Sequence, residues 1–144
     1  MSLSSIDESL LAAAYFRGGR TPSGIGWSSN TDQVLTLSLF YTGDISAAEC
    51  AERFSRKSYI SGLYQDDGEL TEQIGTRYRH FIRLLRAHPE LLQGGGNYTL
   101  PADPTYTACG LTDAGLDLAC ELIPSFPSKP EFPEWPDRRV FPAT

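Results

Sequence analysis

The sequence predicts a mainly α-helical single domain with a small β-hairpin and an extended, proline-rich C-terminal strap. Apolar residues recur at helical spacing in several stretches, and turn signals separate these stretches. Two short runs of strand-forming residues, 98–100 and 106–111, flank a turn that contains two prolines. Prolines then occupy every third position from 124 to 136, a spacing that neither a helix nor a central strand accepts. With 144 residues, the chain has the length of one domain.

The first part of the domain is predicted to contain a helix, a loop and a buried segment. The helix has apolar residues at helical spacing, namely Ile6, Leu10, Leu11 and Ala14. Acidic residues near its start favour the helix dipole. Four glycines and a proline in 18–32 indicate a loop, so residues 1–33 hold the N-terminal helix and a glycine-rich loop. Residues 34–43 are apolar enough to be buried as a helix or as a strand, and so short a run does not decide between them.

Two further helices are predicted before residue 90. Ser46 and Glu49 match an S-x-x-E capping box at the start of the first one. Its apolar face consists of Ala47, Cys50, Ala51 and Phe54. The second one, over 70–87, has the strongest amphipathic pattern, and Pro89 ends it because the residue before a proline avoids helical angles. Its apolar stripe consists of Leu70, Ile74, Tyr78, Phe81 and Leu85.

The helix over 70–87 also carries a basic stripe. Arg79, Arg83 and Arg86 are four and three residues apart, a spacing that places them on one face. Arg77 and His80 flank this stripe. The helix is therefore expected to present guanidinium groups on a side separate from its apolar side.

The three glycines at 94–96 predict a change of chain direction before the two strands. After the strands, Thr112 is expected to cap the last helix, with Asp113 in its first turn. The buried side of that helix is predicted to consist of Leu116, Ala119, Cys120 and Ile123. Pro124 is expected to end the helix and to begin the tail.

The order of these elements resembles the winged helix-turn-helix fold of bacterial regulators. The likeness covers residues 34–123 and includes the segment Leu111-Thr112-x-x-Gly115, which in that family often leads from the last wing strand into the next helix. The resemblance implies that 70–87 is the recognition helix and that 97–111 is the wing. Two features depart from the family pattern. The stretch SYISGLYQDDGE lengthens the turn before the recognition helix, and the expected wing has no lysine or arginine.

The charge of the chain is unevenly distributed. A formal net charge of −6 and a pI near 4.8 mean that the protein as a whole repels phosphate backbones. Seven of the twelve Lys and Arg residues nevertheless lie between 53 and 86, against four acidic residues, so this window carries +3. The predicted nucleic-acid-binding residues are these seven: Arg53, Arg56, Lys57, Arg77, Arg79, Arg83 and Arg86. Each phosphate that they neutralise adds a salt-dependent increment to binding.

Three functions are compatible with this pattern. The leading one is a DNA-binding regulator in which the basic stripe contacts phosphates or base edges. The alternative is a winged-helix-like protein-interaction module whose basic helix meets an acidic protein, and such a module needs no charged wing. The arginines could equally pair with the protein's own carboxylates. A small enzyme is the third choice, because neither histidine, His80 or His88, neighbours a serine or cysteine in a recognisable nucleophile motif. No catalytic residue and no cofactor are predicted.

The cysteines and the hydropathy bear on the compartment. Cys50, Cys109 and Cys120 form no C-x-x-C pair and fit no zinc module. Free cysteines that fill core positions are typical of a reducing compartment. No N-terminal stretch combines a basic start with an apolar run long enough to span a bilayer. We therefore expect a cytoplasmic protein without a membrane partner or a metal site.

The tail, residues 124–144, is predicted to adopt the polyproline II conformation beside a domain formed by 1–123. Three residues per turn place the prolines along one edge. Phe126, Phe132 and Trp135 then share a second edge. Exposed aromatics in a row are unfavourable in water, so we expect these three residues to dock. The tail is expected to cross its own domain, with a second copy in a homodimer or a groove on another protein as the alternatives.

Overall fold

The computed structural model describes residues 3–15, 29–55, 68–95 and 108–127, and these are mainly helical with a small antiparallel sheet. The elements in chain order are α1 (Ser5–Ala14), β1 (Ser29–Asn30), α2 (Thr31–Tyr41), α3 (Ala47–Ser55), α4 (Gly68–Ala87), β2 (Leu92–Gly95), β3 (Ala108–Leu111), α5 (Asp113–Leu122) and a 3₁₀ turn, Ile123–Ser125. The predicted class, mainly helical with antiparallel strands, is confirmed.

Helix α1 lies at the centre of the structure. All of its residues from 9 to 14 are buried, and it contacts α2, α4, α5 and β3. The apolar segment that was compatible with a helix or a strand forms α2, whose residues Val34, Leu35 and Leu37 are fully buried. Neither helix has a fully polar side, because each is covered by neighbours on several sides. α2 ends at Tyr41, and Gly43 follows with a φ of 82°, a left-handed conformation that favours glycine.

Two helices begin with reciprocal capping boxes. At α1, the Ser4 hydroxyl accepts from the Asp7 amide while the Asp7 carboxylate accepts from the Ser4 amide. At α3, Ser46 and Glu49 make the same pair of bonds, at 3.1 and 2.9 Å, as the S-x-x-E pattern predicts. Each box satisfies amide donors that have no partner inside the helix.

The three strands form one sheet in the order β1–β3–β2, with both pairings antiparallel. Only the last four residues of the predicted second hairpin strand, 108–111, are described, and they are β3. Its partner is β2, paired from Leu92 opposite Leu111 to Gly95 opposite Ala108. Residues 98–100 and most of the predicted wing, 97–111, lie outside the described residues.

Two local predictions about the sheet were wrong. Gly94 and Gly95 are strand residues and not a break in the chain, because pairing with β3 overrides the weak strand preference of glycine. Residues 29 and 30, predicted as part of the glycine-rich loop, form β1 on the other edge of β3. A strand of two residues is too short to leave a periodic pattern in the sequence.

Leu111, Thr112 and Gly115 form the corner between β3 and α5. Leu111 is buried, and Thr112 caps α5 by accepting from the Gly115 amide at 3.1 Å. The Thr112 hydroxyl donates to the carbonyl oxygen of Glu90, and the Thr112 amide donates to that of Leu91. A Cβ on Gly115 would overlap the Leu91 carbonyl oxygen, so α5 approaches the turn between α4 and β2 closely only because residue 115 has no side chain.

The last helix and the start of the tail differ from the prediction in two respects. Cys120 is exposed, although it was expected on the buried side of α5; Ala119 is fully buried and Leu116 partly buried. Pro124 does not start an extended tail, because it lies in the 3₁₀ turn after α5. A proline is accepted there because the first residues of a helical turn need no amide donor. After the 3₁₀ turn, Phe126 has extended backbone angles, φ −110° and ψ 159°.

Candidate nucleic-acid interface

Helix α4 has a buried side and an exposed basic side. Ile74, Phe81, Leu84 and Leu85 are buried, and Tyr78 packs partly against the same core. The side chain of Leu70 is not among those described. Arg79, Arg83 and Arg86 are exposed. We call these three arginines the basic face; it lies opposite the residues that hold α4 in place.

Among the described residues, the guanidinium groups of Arg79 and Arg83 contact neighbours on α4. Arg79 Nη2 donates to Thr76 Oγ1 at 3.3 Å, and Arg83 Nη2 lies 2.9 Å from His80 Nδ1. Across the parts of the chain that the structure describes, the ion pairs are Arg77–Asp44 and His88–Glu90, and neither involves the basic face. No described carboxylate therefore neutralises Arg79, Arg83 or Arg86.

Arg77 does not belong to this surface, although the sequence placed it among the predicted binding residues. Only 5% of Arg77 is exposed. Its Nη2 donates to Asp44 Oδ2 at 3.0 Å and its Nη1 to Ser38 Oγ at 2.7 Å. The prediction for Arg77 was wrong because position 77 is half a turn from Arg79 and faces α2. Arg77 is unable to reach a phosphate without leaving these partners.

A chain of hydrogen bonds continues from Arg77 into α1. Ser38 Oγ and Ser9 Oγ are 2.6 Å apart, and Ser9 Oγ lies 2.7 Å from the carbonyl oxygen of Ile6. A serine has one hydroxyl proton, and that of Ser9 goes to the Ile6 carbonyl, which accepts only. Ser38 therefore donates to Ser9 and accepts from Arg77. The chain joins α4, α2 and α1 through polar groups that are all satisfied.

Asp44 completes this cluster at the turn before α3. The hydrogen bond from Thr42 is the main cause that lowers the pKa of Asp44 below its ordinary value, and the hydrogen bond and charge of Arg77 lower it further against partial burial. Ser9, Ser38, Thr42 and Asp44 were not predicted from the sequence. The signal for them was polar residues at positions 9 and 38, inside two otherwise apolar helices.

The basic residues on α3 have a different setting. Arg53 is half-buried, and its Nη2 donates to Gln73 Oε1 on α4 at 3.0 Å. Its Nη1 is buried and has no hydrogen-bond partner among the residues that the structure describes. Arg53 thus links α3 to α4 and is less accessible than the basic face. Arg56 and Lys57, also predicted to bind nucleic acid, lie outside the described residues.

One histidine lies on α4 and the other just beyond its end. Partial burial, helped by the charges of Arg83 and Arg77, lowers the pKa of His80 below its ordinary value, while Asp7 on α1 opposes this shift. His88 lies just beyond the helix and pairs with Glu90, with Nδ1 3.1 Å from Oε2. The two imidazoles therefore have opposite surroundings, cationic for His80 and anionic for His88.

The remaining chemistry of the described residues is limited. Burial raises the pKa of the Cys50 thiol to about 12, which leaves it unreactive. Residues 3–15, 29–55, 68–95 and 108–127 contain no group of three or more His, Cys, Asp or Glu side chains placed to hold a metal ion. None of the helices in these same ranges is long and apolar enough to cross a membrane.

Phe126, the first of the three predicted docking residues of the tail, lies against its own domain. Its ring stacks on Tyr41 at the end of α2, with centroids 5.0 Å apart and an angle of 25° between the planes. Burial, with a smaller effect of Cys50, raises the pKa of Tyr41 to about 12, as expected for a phenol packed between neighbours. Phe132 and Trp135 lie outside the described residues.

No family model, no curated protein and no solved structure matches this chain.

Proposed function

We propose that this chain is a winged-helix-type DNA-binding protein that contacts the duplex with the basic face of α4. The observation that carries the proposal is the exposure of Arg79, Arg83 and Arg86 on one side of a helix, with no described carboxylate to neutralise them. Arginines that an acidic protein leaves unpaired are free to bind an anionic partner.

The dimensions of the basic face suit a duplex. Arg79 and Arg86 are seven residues apart, which is about 10 Å along a helix axis that rises 1.5 Å per residue. The major groove is about 12 Å wide and admits an α-helix. All three guanidinium groups can then reach phosphates that border the groove. Arginine is also the side chain best suited to bidentate bonds with phosphate or with a guanine edge.

The order of the elements supports the winged-helix part of the proposal. Helices α2 and α3 precede the long helix α4, which is followed by an antiparallel strand pair and by α5. The Leu111-Thr112-x-x-Gly115 segment leads from β3 into α5, as the resemblance implies. In this scheme α4 is the recognition helix, and the pair of buried Arg77 with Asp44 holds it in position.

An acidic protein partner is the second candidate. The absence of lysine and arginine from 97–110 favours it, because a DNA-binding wing ordinarily adds phosphate contacts. The basic face would then meet carboxylates on the partner. A carboxylate surface and a phosphate backbone present the same charge but differ in spacing, so a direct comparison distinguishes them.

The test is a mobility shift with a random-sequence DNA duplex at increasing salt. Binding is expected at low salt and should weaken steeply as salt rises, because counterions are released from the duplex. Arg83→Ala should reduce the slope of log K against log salt by about 1. Ala114→Glu is the matched control, since it also changes the net charge by −1 but at an exposed site on α5.

Two outcomes contradict the proposal. An absence of any duplex shift at low salt rejects DNA as the partner. Equal slopes for Arg83→Ala and Ala114→Glu would mean that binding depends on total charge and not on the basic face. Binding to polyglutamate in the same assay, with no shift of the duplex, would establish the acidic-protein alternative.

A further inference from the structure

His80 and Arg83 form a hydrogen bond on the basic face that fixes the protonation of the imidazole. Arg83 Nη2 lies 2.9 Å from His80 Nδ1, and Arg83 is exposed while His80 is half-buried. A guanidinium group has donors only, so a ring nitrogen of His80 must accept: Nδ1 is the nearer one, and Nε2 lies 3.5 Å away. One ring nitrogen is therefore unprotonated, and His80 is neutral in this arrangement.

Partial burial and the charged groups around His80 explain why the neutral form is preferred. Arg83, Arg77 and Arg79, all on α4, place positive charge near the ring, and Asp7 on α1 is the only negative charge that acts on it among the described residues. Asp7 is itself engaged, because its carboxylate accepts from the Ser4 amide. Partial burial is the largest cause that lowers the pKa of His80, and this surplus of positive charge lowers it further.

A phosphate bound at the basic face removes two of the effects that keep His80 neutral: the hydrogen bond from Arg83 and the surplus of positive charge. It places negative charge beside Arg79 and Arg83, so that protonation of the imidazole is no longer opposed by uncompensated cations. A protonated His80 has donors on both nitrogens and accepts from none, so the bond from Arg83 is broken. Arg83 is then released to the phosphate, and His80 adds a further cation to the same surface.

We propose that His80 is a proton-linked phosphate-binding residue, which couples duplex binding by the basic face to uptake of one proton. This inference rests on the proposed function and adds a regulation to it: the affinity for DNA increases as the pH falls through the range in which His80 titrates. By linkage, the affinity changes by about tenfold for each unit by which bound DNA raises the pKa of His80.

Two measurements test the inference, both with a short random-sequence duplex and the full chain. The first is the dissociation constant between about pH 5 and about pH 8, the range in which histidines titrate. The wild type should bind more tightly at the acidic end, and His80→Gln should lose this dependence. His88→Gln is the matched control: His88 is the only other histidine of the chain and faces Glu90, so its removal should leave the profile unchanged.

The second measurement is the NMR titration of the two imidazoles in the wild type, which needs no variant to fold. The pKa of His80 should rise when the duplex is added, and the His88 resonances should move little. A duplex affinity that varies with pH equally in wild type and His80→Gln, or a His80 pKa that DNA leaves unchanged, overturns the inference and leaves the proposed function standing. Absence of duplex binding at every pH overturns both.

Discussion

Arg77 and Asp44 form an ion pair, 3.0 Å long, that joins the middle of α4 to the turn between α2 and α3. The two partners are unequal, because 6% of the Arg77 side chain is exposed but 52% of that of Asp44. The pair therefore has one end inside the protein and one end at the surface. It positions α4, since Arg77 is on the side of the helix that faces away from the basic face.

Asp44→Ala is expected to lower the free energy of unfolding by about 1–3 kcal/mol, the cost of leaving a buried polar group short of a partner. Arg77 would keep its hydrogen bond to Ser38 but would have no carboxylate. Urea unfolding measures the change. Asp117→Ala, at an exposed carboxylate on α5, is the control and should remain within about 0.5 kcal/mol of the wild type. Equal effects of the two substitutions would show that the ion pair does not stabilise the fold.

The same carboxylate should make stability depend on pH in the acid range. Bonds from Thr42 and Arg77 lower the pKa of Asp44 in the folded protein below its unfolded value of about 3.9. The folded state therefore holds fewer protons near that pH, and the stabilisation is complete above it and lost as the pH falls through the folded pKa. The stability difference between wild type and Asp44→Asn should shrink below about pH 4. A constant difference down to about pH 2 would contradict this role of Asp44.

Gly115→Ala is expected to destabilise the protein by about 3 kcal/mol, the upper end for overpacking, because the new methyl group would overlap the Leu91 backbone. Gly43→Ala is the comparison. Gly43 has a φ of 82° but open space around it, so only backbone strain of about 1–2 kcal/mol is expected there. The midpoint temperature of thermal unfolding should be lower for Gly115→Ala than for Gly43→Ala. The reverse order would contradict the close packing of α5 on the turn between α4 and β2.

The stacking of Phe126 on Tyr41 predicts that the start of the tail stabilises its own domain. Phe126→Leu keeps an apolar side chain. It should lower the free energy of unfolding by about 0.5–1.5 kcal/mol, which is the contribution of an aromatic pair beyond area burial. Phe126→Ala should lower the free energy of unfolding further. The sedimentation coefficients of both variants should equal that of the wild type. Full stability with a change in oligomeric state would instead place Phe126 at a contact between two copies.

Local chemistry made most of the helices predictable. The capping box at Ser46, the cap at Thr112 and the end of α4 before Pro89 all follow from bonds or clashes within a few residues. The exposure of the basic face also follows from spacing, because the arginines lie on a different side from Phe81 and Leu85. Such features depend on the chain nearby and are readable without the tertiary structure.

Features set by distant contacts were not predictable. The strand at Gly94 depends on pairing with β3, and the burial of Arg77 depends on Ser38 and Asp44, which lie 39 and 33 positions away. An arginine that flanks a basic stripe looks the same in the sequence whether it faces water or a buried serine. The partner on α2 determines whether such an arginine is buried, and periodicity along α4 carries no information about that partner.

The most direct test of DNA binding by the basic face is the salt dependence of duplex binding by a variant without all three of its arginines. Replacing Arg79, Arg83 and Arg86 together by alanine should leave thermal unfolding nearly unchanged, because all three are exposed. The slope of log K against log salt should fall by about 2.7 relative to the wild type, at about 0.9 for each phosphate that is no longer neutralised. An unchanged slope, or a wild-type protein that fails to bind a duplex at low salt, would contradict the central claim that these arginines contact phosphate.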